Sequence, residues 1–227
     1  GQAGGRWELA KLDTEAFPDL ATRYDVASIP NVKLFVNGEV VDEFIGMMPE
    51  RAIHEWLERA IPSPLAAQVT EARARNAAGD FERAAVLLQP VIEAEPANRE
   101  ARLALGEALL HLNPAVVEGV VRPLDEDPER ADRAAALVTL AGALLAAMRP
   151  DTLPSGPERN RFVAGADAVR RGDWAAALEA FIEVMRARRD WGDGLAKSAA
   201  RAVFIWLGFD HPVAEQYHRA FSSALNV

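Results

Sequence analysis

From Pro64 to its end the chain is an unbroken series of helix-period segments separated by strong breakers, and this pattern narrows the fold more than any other feature. Apolar residues recur at spacings of three and four over about 65–78, 81–95, 97–111, 114–124, 129–147, 157–171, 174–188, 194–207 and 211–225. Between them stand Gly79-Asp80, Glu95-Pro96, Asn113-Pro114, Asp127-Pro128, the stretch from Pro150 to Pro157, Gly172-Asp173, Gly192-Asp193-Gly194 and the stretch from Gly208 to Pro212. β-branched runs are almost absent, and most of the chain's alanine lies here. Helices this long with connections this short must pair antiparallel, so the pattern predicts a helical bundle or a solenoid.

Two of these junctions repeat. Ala78-Gly79-Asp80-Phe81-Glu82-Arg83-Ala84-Ala85-Val86-Leu87-Leu88 is echoed by Arg171-Gly172-Asp173-Trp174-Ala175-Ala176-Ala177-Leu178-Glu179-Ala180-Phe181. Each reads as a helix end, Gly-Asp, an aromatic, an Ala three residues on, and a large apolar residue four further. This resembles the turn and second helix of a tetratricopeptide repeat. The glycine closes the first helix in a left-handed conformation. The aromatic is expected to pack between the paired helices, and the small Ala84 and Ala177 to let them approach. Ala72 and Gly165 take the small position of the preceding helices, and Pro96 falls where such a repeat ends. The copies lie 93 residues apart, Gly79 to Gly172, which is no multiple of the usual repeat of about 34. Degenerate repeats or an insertion, placed at Arg149–Pro157, are expected between them. An irregular all-α bundle remains the alternative.

The first sixty residues have a different texture. Trp7–Leu12 reads as a strand, and Phe17–Tyr24 as a short helix through Phe17, Leu20, Ala21 and Tyr24. Asn31–Val36 and Val40–Ile45 are β-rich and flank Asn37-Gly38-Glu39, and Asn-Gly between apolar runs is a strong hairpin signal. Pro49–Ile61 is amphipathic, through Ala52, Ile53, Trp56, Leu57, Ala60 and Ile61. The order is β-α-β-β-α, closed by the linker Ile61-Pro62-Ser63-Pro64.

Leu9 to Glu15, Leu20 to Pro30, Val32 to Phe35, Asn37 to Asp42 and Phe44-Ile45-Gly46 together resemble the second half of a thioredoxin domain. The most specific part is Ser28-Ile29-Pro30, which leads into a strand and an Asn-Gly hairpin. The resemblance implies a cis Ile29–Pro30 peptide and a peptide-binding groove of which Val26, Ile29 and Pro30 are present. It also implies that Gly1–Gly5 continue an active-site helix, with the redox motif upstream of residue 1 or outside the chain. A start other than Met fits a processed chain or a fragment. Thioredoxin-like residues followed by tetratricopeptide-like helices, with a tail of Arg201–Leu207, Gly208-Phe209-Asp210, Tyr217-His218-Arg219 and Ala224-Leu225, resemble the bacterial thioredoxin-tetratricopeptide co-chaperones, the chaperedoxin family. The expected fold is therefore α+β: a partial thioredoxin-like domain (β-α-β-β-α) over 1–61, then an all-α tetratricopeptide-like helical array over 65–227. The resemblance implies a non-catalytic, cytoplasmic protein-binding module. It would hold unfolded clients in apolar grooves of the array and pass them to a chaperonin. The alternative is the substrate-selecting part of a thiol-disulfide oxidoreductase whose cysteine motif lies upstream. In a thioredoxin sheet another strand separates Trp7–Leu12 from Asn31–Val36. Without it, either Asn31–Val36 pairs with a second copy to form a homodimer, or the first strand packs differently.

Composition removes other classes. The chain has no cysteine, so its own residues make no disulfide, thiolate metal site or Cys nucleophile. A net charge of −9 argues against nucleic acid as a partner. No apolar run approaches the roughly 18 residues that a membrane span needs, and the N-terminus lacks the pattern of a signal peptide. His54, His111, His211 and His218 have no metal-ligand spacing, and no nucleotide or serine-nucleophile motif occurs. No catalytic, cofactor or metal residue is expected. Asp42-Glu43, Asp125-Glu126-Asp127 and Asp190 read as solvated loops, the second of these as favourable charge at a helix start. The partner-docking candidates are Trp191, for its place before Gly192-Asp193-Gly194, and Tyr217 and Phe221 on the last helix. There Val213, Tyr217, Ala220, Phe221, Ala224 and Leu225 form a capping stripe.

Overall fold

The computed structural model describes residues 7–61, 63–208 and 210–225. The chain divides into two compact units, Gly1–Pro64 and Leu65–Val227. The expected continuation of a helix at Gly1–Gly5 lies outside the described residues.

The first unit holds a short helix α1 (Pro18–Arg23), strands β1 (Asn31–Val36) and β2 (Glu39–Ile45), and helix α2 (Glu50–Ala60). The two strands form an antiparallel hairpin in which Asn31 faces Ile45, Val32 faces Phe44 and Leu34 faces Asp42. The register shifts after Leu34, so that Phe35 faces Val40 and Val41 is the extra residue of a bulge. Asn37 and Gly38 carry φ of 52° and 87°. These left-handed values are what a two-residue hairpin turn requires, and they explain the Asn-Gly pair.

Helix α2 supplies Trp56, the one residue of this unit that is fully buried among those described. Its indole meets Phe44 edge-on at 4.9 Å, and its Nε1–H donates to Asp42 Oδ2 at 2.8 Å. Asp42 is therefore a hydrogen-bond partner of the small core and not a solvated loop residue, and Glu43 pairs with Lys33 across the hairpin. Phe35 points to the opposite face and meets Tyr24 edge-on at 5.2 Å.

The strand expected at Trp7–Leu12 does not form; residues 7–13 are irregular and almost entirely exposed. Among the described residues the sheet has only β1 and β2. A strand needs a neighbour for its backbone N–H and C=O groups, and among the described residues none lies beside this segment. The apolar content of Trp7, Leu9 and Leu12 alone does not make a strand.

The second unit is all helical: α3 (Ala66–Ala77), α4 (Phe81–Ala94), α5 (Arg99–Leu112), α6 (Val117–Val121), α7 (Ala131–Ala147), α8 (Pro157–Arg170), α9 (Trp174–Ala187), α10 (Leu195–Leu207) and α11 (Pro212–Leu225). Short 3₁₀ turns flank α6, follow α7 and precede α10. The expected segments thus appear within a few residues, except that 114–124 is one short helix between two tight turns. Within Arg149–Pro157, the expected place of an insertion, Pro150–Thr152 form a 3₁₀ turn and 153–156 a loop.

Helix α4 packs on α3 and α5, α5 on α6 and α7, α7 on α8 and α10, and α9 on α8, α10 and α11. A smaller core of Val69, Ala72, Ala84, Leu88, Val91 and Leu105 joins α3–α5. A larger one runs from α5 to α11.

The two repeated turns are the same object. Gly79 and Gly172 have φ of 76° and 72°. In the first, Asp80 N–H donates to Arg75 O and Gly79 N–H to Asn76 O, each at 2.9 Å. In the second, Asp173 N–H donates to Ala168 O and Gly172 N–H to Val169 O, again at 2.9 Å. These paired bonds are the Schellman closure of a helix end, which a left-handed residue makes possible. The close approach expected at Gly165 is also present. A Cβ there would lie 2.7 Å from the Phe181 ring, so the glycine is what lets α8 and α9 meet.

Candidate protein-interaction surfaces

In the first unit the Ile29–Pro30 peptide is cis, and Pro30 O accepts from Gly46 N–H at 2.8 Å, which ties this corner to the end of the hairpin. Val26 is half-buried, while Ile29 is 76% exposed and Pro30 is exposed. Phe35, Val40, Val41, Ile45 and Met47, the last 92% exposed, continue the apolar surface along the hairpin. Both side-chain amide atoms of Asn31 are buried with no hydrogen-bond partner. In a two-stranded sheet each strand also keeps one edge without a strand neighbour. An apolar corner beside a free strand edge can take an extended apolar chain.

The array is different. Among its described residues the exposed large apolar side chains are Val86, Leu112, Val116 and Met148, which lie on α4, at the end of α5, before α6 and after α7. They do not make the apolar grooves expected of a client-holding array. Trp191 is not a docking residue. It is fully buried, with its ring 5.2 Å from Phe162 and its Nε1–H without an acceptor. Gly192, Asp193 and Gly194 all take positive φ, and the reversal they make turns the indole into the core instead of leaving it at the surface. Tyr217 and Phe221 are half-buried and pack on the larger core, with Phe221 4.9 Å from Phe204. Burial, with Glu179 and Asp173 nearby, raises the Tyr217 phenol above its ordinary value. The two residues cap the array, and only their outer parts are open to a partner.

A partly buried polar network runs across α3, α5, α7 and α10. Asn76 on α3 is buried; its Nδ2 donates to Ala104 O at 2.8 Å and to Glu107 Oε2 at 3.0 Å on α5. Burial raises the Glu107 carboxyl above the usual range, against the pull of Asn76, Arg133 and Arg73. The Arg133 guanidinium of α7 lies 4.4 Å over the Trp206 ring of α10. Arg73 reaches Glu100 at 3.4 Å, and Arg130 pairs with both Glu100 and Asp127. Asp127 is itself buried and accepts from Glu129 and Arg130 N–H, so the acidic run of 125–127 is in part a structural cap before α7.

Sequence reasoning did not single out Asn76, Glu107 or Arg133. A signal was present for Asn76, which occupies an apolar-stripe position seven and four residues after Val69 and Ala72. Glu107 and Arg133 carry no such mark, because their roles depend on which helices become neighbours.

Among the described residues no helix is long and apolar enough to cross a membrane, and no group of three His, Asp or Glu side chains could hold a metal.

Comparison with known proteins agrees with the two-part architecture. The thioredoxin family model matches residues 2–59, and tetratricopeptide-repeat models match residues 76–113 and 156–226. The thioredoxin of Staphylococcus epidermidis is 36% identical over 59 residues, covering 26% of this chain and 57% of that protein. The mitochondrial thioredoxin of Mus musculus is 37% identical over 57 residues, 25% of this chain and 34% of that protein. An uncharacterized protein of Mycobacterium tuberculosis is 22% identical over 223 residues, 92% of this chain and 64% of its own length. The chain spans about a third to under two thirds of the length of these relatives. It joins a thioredoxin-like unit to a tetratricopeptide-like helical array, the architecture of a thioredoxin-tetratricopeptide protein.

Proposed function

We propose that the chain is the non-catalytic protein-binding part of a cytoplasmic co-chaperone that holds unfolded clients and passes them to a chaperonin. The observation that carries this reading is the concentration of exposed apolar side chains at the cis-proline corner and hairpin of the thioredoxin-like unit. Ile29 and Met47 are open to solvent beside a free strand edge, which suits an extended apolar segment of an unfolded chain. The helical array, with few exposed apolar residues and a charged surface, suits docking of a folded partner such as the chaperonin.

The test is suppression of aggregation of a chemically unfolded protein, read by light scattering. The chain at several-fold molar excess is expected to protect. The double variant Ile29→Glu, Met47→Glu is expected to lose that protection, because both positions are surface sites whose change leaves the core intact. No protection by the unaltered chain removes the holdase reading. The free edge could instead be filled by a second copy. A dimer in size-exclusion with light scattering, lost on adding client, would show the two competing for one edge.

The identity to thioredoxins over this unit favours a second reading, in which the chain selects substrates for a thiol-disulfide oxidoreductase. Its own residues, lacking cysteine, perform no dithiol step. Disulfide reduction by the longest natural polypeptide that contains these residues tests it.

A further inference from the structure

The two repeated turns meet at one histidine. His111, in the last turn of α5, is only 8% exposed. Its ring stacks on Phe81, the aromatic of the first turn, with centroids 3.6 Å apart and planes 7° apart. Trp174, the aromatic of the second turn, meets the same ring edge-on at 5.9 Å. His111 Nδ1 lies 3.0 Å from Arg170 O, at the end of α8. The Schellman bonds of that end use the carbonyls of Ala168 and Val169 and leave that of Arg170 free. A carbonyl only accepts, so His111 carries its proton on Nδ1, and the ring acts as a cap supplied from another helix.

We propose that His111 is an acid-released latch that holds the two repeat turns together while its ring is neutral. A proton would add at Nε2, the ring nitrogen that does not face Arg170 O. The resulting cation would sit among Phe81, Trp174 and the α8 end, away from bulk water. Burial disfavours that cation, and the Val169 and Arg170 carbonyls favour it more weakly, so the ring is held below the ordinary value of 6.5.

The charged groups on the surrounding helix ends are engaged elsewhere or form no pair with the ring. On the α4 side, Asp80 binds Arg75 and Arg83, with Glu82 beside them. On the α8 side are Asp167, Arg170 and Arg171. At the start of α9, Asp173 accepts Ala176 N–H. On α5, Glu107 faces Asn76. No carboxylate therefore rescues the charged ring.

The sign follows. With a folded-state pKa below 6.5, the latch is fully present above pH 6.5 and is lost as pH falls through the folded value. The consequence is regulatory: mild acid loosens the tie between the first helix pair and the C-terminal repeat, inside one packed unit.

Hydrogen exchange of the whole chain at pH 7.5 and 5.5, corrected for intrinsic rates, tests this over residues 78–84 and 168–175. The unaltered chain is expected to lose protection there at pH 5.5, by up to about the tenfold that one imidazole of ordinary pKa in the open state allows. His111→Gln, which keeps a neutral donor for Arg170 O, is expected to show no such change. Equal protection of the unaltered chain at both pH values, or the same loss in the variant, overturns the proposal. If the variant does not fold, the ring titration of His111 by nuclear magnetic resonance decides: a midpoint below 6.5 supports the latch, and one at or above 6.5 overturns it.

Discussion

Single side chains in this protein are placed by partners far away in sequence. Glu107 is the clearest example. Its carboxyl sits between Asn76 of α3 and Arg133 of α7, and burial holds its pKa above 4.5. A raised carboxyl pKa means that the folded state prefers the proton. Glu107 therefore contributes most at low pH, and its contribution is lost as pH rises from 4.5 through the folded value. In Glu107→Gln that loss is absent. Denaturant unfolding between pH 4 and 8 is expected to show the stability difference moving steadily toward the variant as pH rises; a difference independent of pH would contradict this burial effect. Trp56 and Trp191 make the same point about partners. Both are buried indoles, yet one donates to Asp42 and the other lies beside Phe162 with no acceptor.

At the scale of elements, the two repeat turns share a backbone but use their aspartates differently. Asp173 Oδ1 accepts from Ala176 N–H at 3.1 Å and caps α9. Asp80 makes no such cap and instead pairs with the half-buried Arg75 and the exposed Arg83. Losing a helix cap costs about 1 kcal/mol, whereas an exposed ion pair is worth a few tenths, up to about 1 kcal/mol. Asp173→Ala is thus expected to destabilise more than Asp80→Ala, and the Asp80→Ala effect to shrink further in high salt. Equal, salt-insensitive losses in chemical denaturation would contradict this division of roles. The turns themselves were readable in the sequence, since Gly-Asp-aromatic fixes a left-handed glycine locally. The strand at Trp7–Leu12 was not, because a strand exists only when another lies beside it.

For the molecule as a whole, the two units differ sharply in how much they bury. Among its described residues the first has one fully buried side chain, Trp56, under a two-stranded hairpin, and an isolated hairpin is marginal in water. The second has two extended cores across nine helices among its described residues. Unfolding of the chain is therefore expected to depart from two-state behaviour, with the first unit opening well before the second. Limited trypsin digestion should clear residues before Leu65 and leave a resistant helical fragment. A single calorimetric transition, with both units digested at the same rate, would count against it.

The sequence by itself determined the helices, their breakers, the Asn37-Gly38 hairpin turn and the two glycine closures, along with the division near Pro64. Each of these is decided by residues within a few positions of one another, through backbone conformation and apolar spacing. Only the tertiary structure decided that His111 joins the two turns, that Asn76, Glu107 and Arg133 form one stripe, that Trp191 is core, and that the open apolar surface lies on the thioredoxin-like unit and not on the array. Those outcomes depend on which elements become neighbours. Burial, which sets both the exposure and the charge state of a side chain, is a property of that arrangement and not of the local chain.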